Sequence, residues 1–174
     1  MYGLPVNEKD AQELLDKMLD YDPATGILRW RVERYRKHPG DIAGCIHKVA
    51  KDDYWRVTVS INYRRYLAHR IIWLMMTGKW PVKEIDHMDR DPTNNRWGNL
   101  REATRTQNGR NLSLKPANTT GVTGVSPDGR RGGYRVRIMV DRRDIYLGNF
   151  KSLEEAVAAR NVASKHYFGD FSGS

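Results

Sequence analysis

The sequence predicts an α+β protein built from small antiparallel strand units and short helices. Three observations point there. Runs of alternating apolar and polar residues recur between turn formers, as in Tyr54–Ile61 and Tyr134–Val140. Brief stripes at helical spacing separate them. A short polar stretch with a proline, residues 113–120 (SLKPANTT), divides the chain as a linker would. At about 150 residues per domain, 174 residues make one domain or two small ones.

The balance of charge narrows the partners. Thirty Lys and Arg against 21 Asp and Glu leave a net charge of +9. That excess points to a polyanion. Both parts carry it: residues 113–174 have a net charge of +4 and the rest +5. The longest apolar run, Ile71–Met76, is far short of the ~20 residues that span a bilayer. No basic-then-apolar leader opens the chain, so secretion is not expected. The single cysteine, Cys45, excludes an intramolecular disulfide framework and a Cys-rich zinc ribbon, and fits a reducing, cytoplasmic setting.

The elements follow in order. Residues 8–20 form an amphipathic helix through Ala11, Leu14, Leu15, Met18 and Leu19. Asp22-Pro23-Ala24-Thr25-Gly26 is a turn. Strands are expected at Ile27–Val32, Tyr54–Ile61 and Arg65–His69, with Asn62-Tyr63 as a hairpin tip. Residues 68–77 (AHRIIWLMMT) read as a buried helix stopped by Gly78 and Pro81. Next comes a strand (Val82–His87), a turn-rich loop (Asp89–Trp97), a second strand (Asn99–Glu102) and a helix from Thr104. Thr104 and Gln107 have capping-box spacing. Beyond the linker, Gly124–Pro127, Gly133–Val140 and Ile145–Gly148 read as three strands, with Asp141-Arg142-Arg143-Asp144 as a hairpin turn. Ser152 and Glu155 make a capping box ahead of a helix with a stripe of Leu153, Ala156, Ala159, Ala163 and Tyr167.

The densest polar constellation lies in the strand–loop–strand–helix unit. Asp86 and His87 stand where its first strand ends, Asn99 on the second, and Asn108 and Asn111 three apart on the helix. A carboxylate and an amide oxygen are hard ligands that suit Mg²⁺ or Mn²⁺ rather than Zn²⁺. A neutral His87 can take a proton from water near pH 7. Adjacent strand residues face opposite sides, so Asp86 and His87 share a site only where the strand breaks.

These residues resemble the HNH nucleases, in particular the phage-type HNH homing endonucleases. The likeness runs over Ala68–Asn111, through "AHRIIW…G.WP" and "EIDHMDRDPTNNRWGNLREATRTQN". It implies a ββα-metal nuclease core at 80–112 within a domain of 1–112, with residues 1–79 as a β-rich N-terminal extension. It implies Asp86 as a metal ligand, His87 as general base, and Asn99 as the brace of the loop that orients His87. Asn108 stands where many HNH enzymes have His and is implied as the second ligand of one Mg²⁺ or Mn²⁺. His69, in the "AHR", and Asn111 are assigned to packing or phosphate contact. Asn94 and Asn95 are assigned to the loop backbone.

Residues 121–174 resemble the APETALA2-type DNA-binding domain, through "GVTGVSPDGRRGGYRVRI", "IYLGNF" and "SLEEAVAARNVASKHYFG". That implies a three-stranded sheet packed on one helix, its other face in the DNA major groove. Arg130, Arg131, Arg135, Arg137, Arg142, Arg143 and Tyr146 are the DNA-contacting candidates. Ser126, Asp128 and Met139 replace Arg positions of the plant domains, so the plant target sequence does not carry over.

The combined expectation is a metal-dependent, site-specific endonuclease acting on double-stranded DNA in the host cytoplasm, as monomer or dimer. Two other readings are a non-catalytic DNA-binding regulator with a degenerate nuclease fold and a structured-RNA nuclease. The deep groove of A-form RNA disfavours the last. Residues 1–72 either extend the nuclease core or touch DNA through Arg29, Arg31, Arg34 and Arg36.

Overall fold

The computed structural model describes residues 3–49, 54–110 and 118–171. The chain divides into two compact units, Met1–Arg105 and Thr106–Ser174. Of the expected linker, 113–117 lie outside the described residues, as does Asn111. Among the described residues the fold is mixed α+β, with four small antiparallel sheets. Among the described residues, no helix is long and apolar enough to cross a membrane.

The first unit opens with helix α1 (Glu8–Met18). Asn7 caps it, its Oδ1 accepting from the Lys9 and Asp10 amides at 2.9 and 3.3 Å. The helix is shorter than the apolar stripe suggests. At Leu19 the backbone turns extended, and strand β1 (Leu19–Asp22) pairs with β2 (Ile27–Trp30) across the Pro23–Gly26 turn. Leu19 is fully buried, so the same apolar position serves a strand as well as a helix. Strands β3 (Cys45–Val49), β4 (Tyr54–Ile61) and β5 (Arg64–Leu67) form a second sheet in that order. Neither β1 nor β3 is anticipated from the sequence, because both are short and mixed in polarity. The apolar face of β4 grades outward: Val59 and Ile61 are fully buried, whereas Trp55 is 49% exposed.

Helix α2 (Ala68–Thr77) follows β5 directly and ends at Gly78, whose φ of +74° suits glycine. Its Ile71, Ile72 and Leu74 are fully buried. They join Leu15, Leu19, Leu28, Val59 and Ile61 in one apolar cluster, and that cluster includes Ile85 and Leu100. Those last two belong to the hairpin of β6 (Glu84–His87) and β7 (Leu100–Ala103). The N-terminal segment and the hairpin therefore share a core. Helix α3 (Arg105–Arg110) comes next.

The second unit holds strands β8 (Val125–Pro127), β9 (Tyr134–Val140) and β10 (Arg143–Phe150), in the sheet order β10-β9-β8. Helix α4 (Leu153–Phe168) packs on it. Its capping box is present, with the Glu155 amide donating to Ser152 Oγ at 3.2 Å. The turn between β9 and β10 is only Asp141-Arg142, both at positive φ, so Arg143 and Asp144 belong to the strand. The packed face of α4 differs from the expected stripe. Ala156 and Ala163 are buried, Tyr167 is 42% exposed, and Arg160 and Ser164 are buried in its place. The Arg160 guanidinium bonds Ser164 Oγ, one turn along the helix. Burial lowers the Arg160 pKa.

Gly124, ahead of β8, sits at φ +83°, and a Cβ there would lie 2.2 Å from the Arg137 carbonyl oxygen. Any side chain drives β8 off β9. Gly124→Ala is expected to cost at least ~2 kcal/mol of stability, whereas Gly129→Ala, where a Cβ meets nothing within 4 Å, stays within about 0.5 kcal/mol. Urea titration of the two variants checks the contrast.

Candidate active site

The loop between β6 and β7 is written in turn-forming residues, and its side chains close it locally. Asp89 Oδ1 accepts from the Asp91 amide, and Asp91 Oδ1 from the Thr93 amide, both at 2.9 Å. Asn99 ties the two ends. Its Nδ2 donates to Asp89 Oδ1 at 2.9 Å and to the Asn94 carbonyl at 2.8 Å, and its Oδ1 accepts from the Asp89 amide at 3.0 Å. Asn99 is not on the second strand: it closes a 3-10 turn, Trp97–Asn99, and β7 starts one residue later. The turn forms because the Asn99 amide bonds the Arg96 carbonyl at 2.9 Å. For Asp89, burial pushes the carboxyl up. The Asp91 amide and the Asn99 and Asn94 side chains outweigh it and hold the group below the ordinary carboxylate range.

His87 is the last residue of β6 and only 8% exposed. Its Nε2 lies 3.2 Å from Asn95 Oδ1. Asn95 is itself 3% exposed, and its Nδ2 donates to the Thr93 carbonyl at 3.2 Å. That bond fixes which way the amide points, so its oxygen faces the imidazole. Nε2 is then the protonated nitrogen that donates to Asn95, and Nδ1 carries the basic lone pair. On the other side, the His69 ring from α2 meets His87 edge-on, centroids 5.2 Å apart. Burial first, then the positive fields of His87, Arg70 and Arg56, push the His69 pKa down to about 3. His69 is neutral at ordinary pH and adds no charge of its own beside His87.

Asp86 is 4% exposed and opposes Arg101 across the hairpin. Arg101 Nε and an Arg101 terminal nitrogen both donate to Asp86 Oδ2, at 2.9 and 2.8 Å. Strand pairing continues through His87 and stops right after it, so Asp86 and His87 leave the ribbon on alternate faces at its very end. Both Arg101 bonds converge on Oδ2 and orient the carboxylate at the end of the ribbon. Asn108 is partly buried on α3. Among the described residues, no three His, Cys, Asp or Glu side chains converge on one point. The Asp86 carboxylate is a hard oxygen donor of the kind a divalent cation such as Mg²⁺ takes, and that ion keeps several waters and needs few protein ligands.

Sequence reasoning missed how the N-terminal segment supports this loop. The Tyr21 hydroxyl on β1 donates to the Asn95 carbonyl at 2.8 Å. Burial, then the charge of Asp22, pushes that phenol up to about 12, so it stays a donor. The Trp97 amide donates to the Pro23 carbonyl at 3.2 Å. Gly26 sits at φ +78°, and a Cβ there would lie 2.5 Å from the Arg96 nitrogen. The β1–β2 turn is thus pressed against the backbone that positions Asn95. The "DPATG" turn signal located this element but gave no hint of its target.

In the second unit, a surface cavity of about 610 Å³ brings together Arg130, Arg131, Arg135, Arg137 and Tyr146. Arg142 and Arg143 lie instead at the β9–β10 tip. Tyr146, 53% exposed, pairs across the strands with Arg137. Arg137 also meets Asp144 at 2.8 Å, an exposed pair of small energetic weight. Asp128 shapes the rim: its Oδ1 accepts from the Arg130 and Arg131 amides, at 3.1 and 3.3 Å, and its Oδ2 from Asn149 at 2.8 Å.

Residues 66–110 match the HNH endonuclease family. An uncharacterized HNH endonuclease of Acanthamoeba polyphaga mimivirus is 30% identical over 115 residues, which is 65% of this chain and 59% of that protein. The chain thus spans less than two thirds of that relative's length. No solved structure matches the chain. The stretch that carries His87, from β5 to the end of α3, therefore has the sequence pattern of the HNH endonucleases.

Tyr21→Phe removes one hydrogen bond and is expected to cost about 1 kcal/mol in thermal or urea unfolding. His69 gives a pH test. Its folded pKa, about 3, lies below the ordinary 6.5, so the unfolded chain binds the extra proton between the two values. Stability from this group is present above pH 6.5 and lost as pH falls toward 3. Urea unfolding at pH 7, 6, 5 and 4 should show a shallower loss in His69→Gln than in wild type.

Proposed function

We propose that this protein is a metal-dependent, site-specific DNA endonuclease of the HNH type. The observation that carries the reading is His87. It is buried at the end of β6, and Asn95 holds it with its basic nitrogen at Nδ1, inside the segment that matches the HNH endonucleases.

His87 Nδ1 takes a proton from the attacking water, and the hydroxide so formed displaces one ester oxygen of the phosphodiester. The imidazolium is stabilised through Nε2–H and the Asn95 amide oxygen. The neutral His69 spares it like-charge repulsion as it forms. Asn99 has no part in proton transfer. It braces the Asp89–Asn94 loop that keeps Asn95 in place. Asp86 and Asn108 would hold one Mg²⁺ or Mn²⁺. When bound, the ion supplies Lewis-acid stabilisation of charge on the phosphate and leaving oxygens. Arg101 holds the Asp86 carboxylate in orientation through two hydrogen bonds to Oδ2. Asn108 enters through the motif alone.

The second unit is proposed as the reader of sequence. Its likeness to the APETALA2-type domain and its arginine-lined cavity beside Tyr146 support this. Phosphate contacts supply affinity and the sheet's arginines supply preference, so binding weakens steeply with salt. An endonuclease with its own site-selecting module fits a homing role in a phage. Monomer and dimer predict different products, a nick and a double-strand cut.

Supercoiled plasmid carrying random inserts tests the reading. With Mg²⁺ or Mn²⁺, wild type should give relaxed or linear DNA, and EDTA should abolish it. His87→Ala should lose the activity outright. Asn95→Ala should reduce it about 10–100-fold, the usual cost of losing a partner that orients a ring. Salt-sensitive DNA binding without cleavage, unchanged in His87→Ala, would instead establish a non-catalytic regulator.

A further inference from the structure

Arg29, Arg31, Arg34 and Arg36 of the N-terminal segment are not equivalent. Arg31 is paired with Asp20 at 2.7 Å, and Arg29 braces the Gly40 carbonyl at 2.8 Å. Arg34 and Arg36 differ. Arg34 and Lys37 close a two-residue turn through reciprocal backbone bonds of 2.9 Å, with Tyr35 and Arg36 at the tip. The acid next to this turn, Glu33, is engaged by His38 at 2.7 Å. Tyr35 is 84% exposed, and the Arg36 guanidinium lies 5.1 Å from its ring centre.

A second turn of the same character stands beside it. Arg34, stacked on Trp30, donates to the Ser60 carbonyl at 3.1 Å. Ser60 pairs with Arg65 across the β4–β5 hairpin, whose tip is Asn62-Tyr63. Tyr63 is 92% exposed and is followed by Arg64 and Arg65, both exposed. Among the described residues, Arg36, Lys37, Arg64 and Arg65 form no ion pair. The two tips also share an unfavourable backbone choice. Arg36 has φ +56° and Tyr63 φ +65°, where glycine or asparagine costs less. A long cation and a ring are kept at positions that a plain turn would leave to smaller residues.

We propose that these paired turns, Arg34–Lys37 and Asn62–Arg65, form a second DNA-contacting surface. It grips duplex phosphates through Arg36, Lys37, Arg64 and Arg65, with Tyr35 and Tyr63 packing against the sugar-phosphate edge. Charge complementarity selects the partner: the patch is a cationic surface without ion pairs among the described residues, and the substrate of the proposed nuclease is a polyanion. The inference rests on the nuclease reading for the choice of DNA. The surface adds affinity without sequence preference, distinct from that of the arginine-lined sheet.

The test uses the full chain, with circular dichroism to verify folding. Two variants are compared with wild type, Arg36→Gln/Lys37→Gln and Arg64→Gln/Arg65→Gln. Fluorescence anisotropy measures binding to a labelled duplex of about 30 base pairs in EDTA over a range of salt, and plasmid cleavage is measured at saturating protein with Mg²⁺. Each pair of substitutions should weaken binding roughly five- to tenfold. It should also flatten the slope of log K against log salt by about 0.9 for each phosphate no longer neutralised. Cleavage at saturation should stay within about twofold of wild type. Affinity and slope unchanged in both variants would overturn the proposal and leave the nuclease reading intact. Weakened binding in the variants of a protein that never cleaves would uphold the surface and overturn the nuclease. A wild type that ignores duplex DNA would overturn both.

Discussion

The site hangs on the amide of Asn95. This residue is almost fully buried, and each polar group described for it has a partner from a different stretch of chain. The side-chain oxygen receives His87 from β6, the side-chain nitrogen reaches Thr93 in the loop, and the main-chain oxygen receives Tyr21 from β1. A buried amide left unpartnered costs on the order of several kcal/mol, so these bonds are a constraint the fold must meet. Meeting it fixes the loop, the ring of the histidine and the packing of the first hairpin together. The absence of a side chain at Gly26 permits the close approach.

Chemistry follows from that constraint. A histidine buried at the end of a strand is ordinary until one nitrogen is committed to an acceptor. In the proposed mechanism the other nitrogen is then the base, and its direction is set by the buried Asn95 amide, itself held by the Thr93 carbonyl. The electrostatic surroundings agree. The neighbouring ring from α2 is kept neutral by its own burial, and the nearby carboxylate is matched by an arginine across the ribbon.

Much of this is legible in the sequence. Helix α2 can be read to its end residues, because a dense apolar run followed by glycine and proline leaves little freedom. The β4 and β9 strands follow from alternation, and the strand–loop–strand–helix order from turn residues. What escapes are elements defined by partners rather than by pattern. Strand β1 continues a helical stripe, and only its pairing with β2 turns Leu19 extended. Asn99 reads as strand until the turn closed at Arg96 is seen. The buried Arg160 breaks the rule that charge faces water, since the small residues beside it leave room for its stem. In the site, His87 and Asp86 stand out by type and spacing. Asn95 and Tyr21 do not, because an asparagine in a loop and a tyrosine in a strand carry no sign of what they hold.

One pair of rings near the loop has an optical consequence. Trp97, which opens the turn holding Asn99, lies 5.2 Å from Trp73 on α2, the two indole planes inclined at 46°. Chromophores so close and so inclined couple, and the coupling depends steeply on their separation and angle. The protein thus carries a built-in spectroscopic ruler between a buried helix and its most polar loop. Near-ultraviolet circular dichroism can follow that loop in unlabelled protein, in the presence of any ligand that does not itself absorb there.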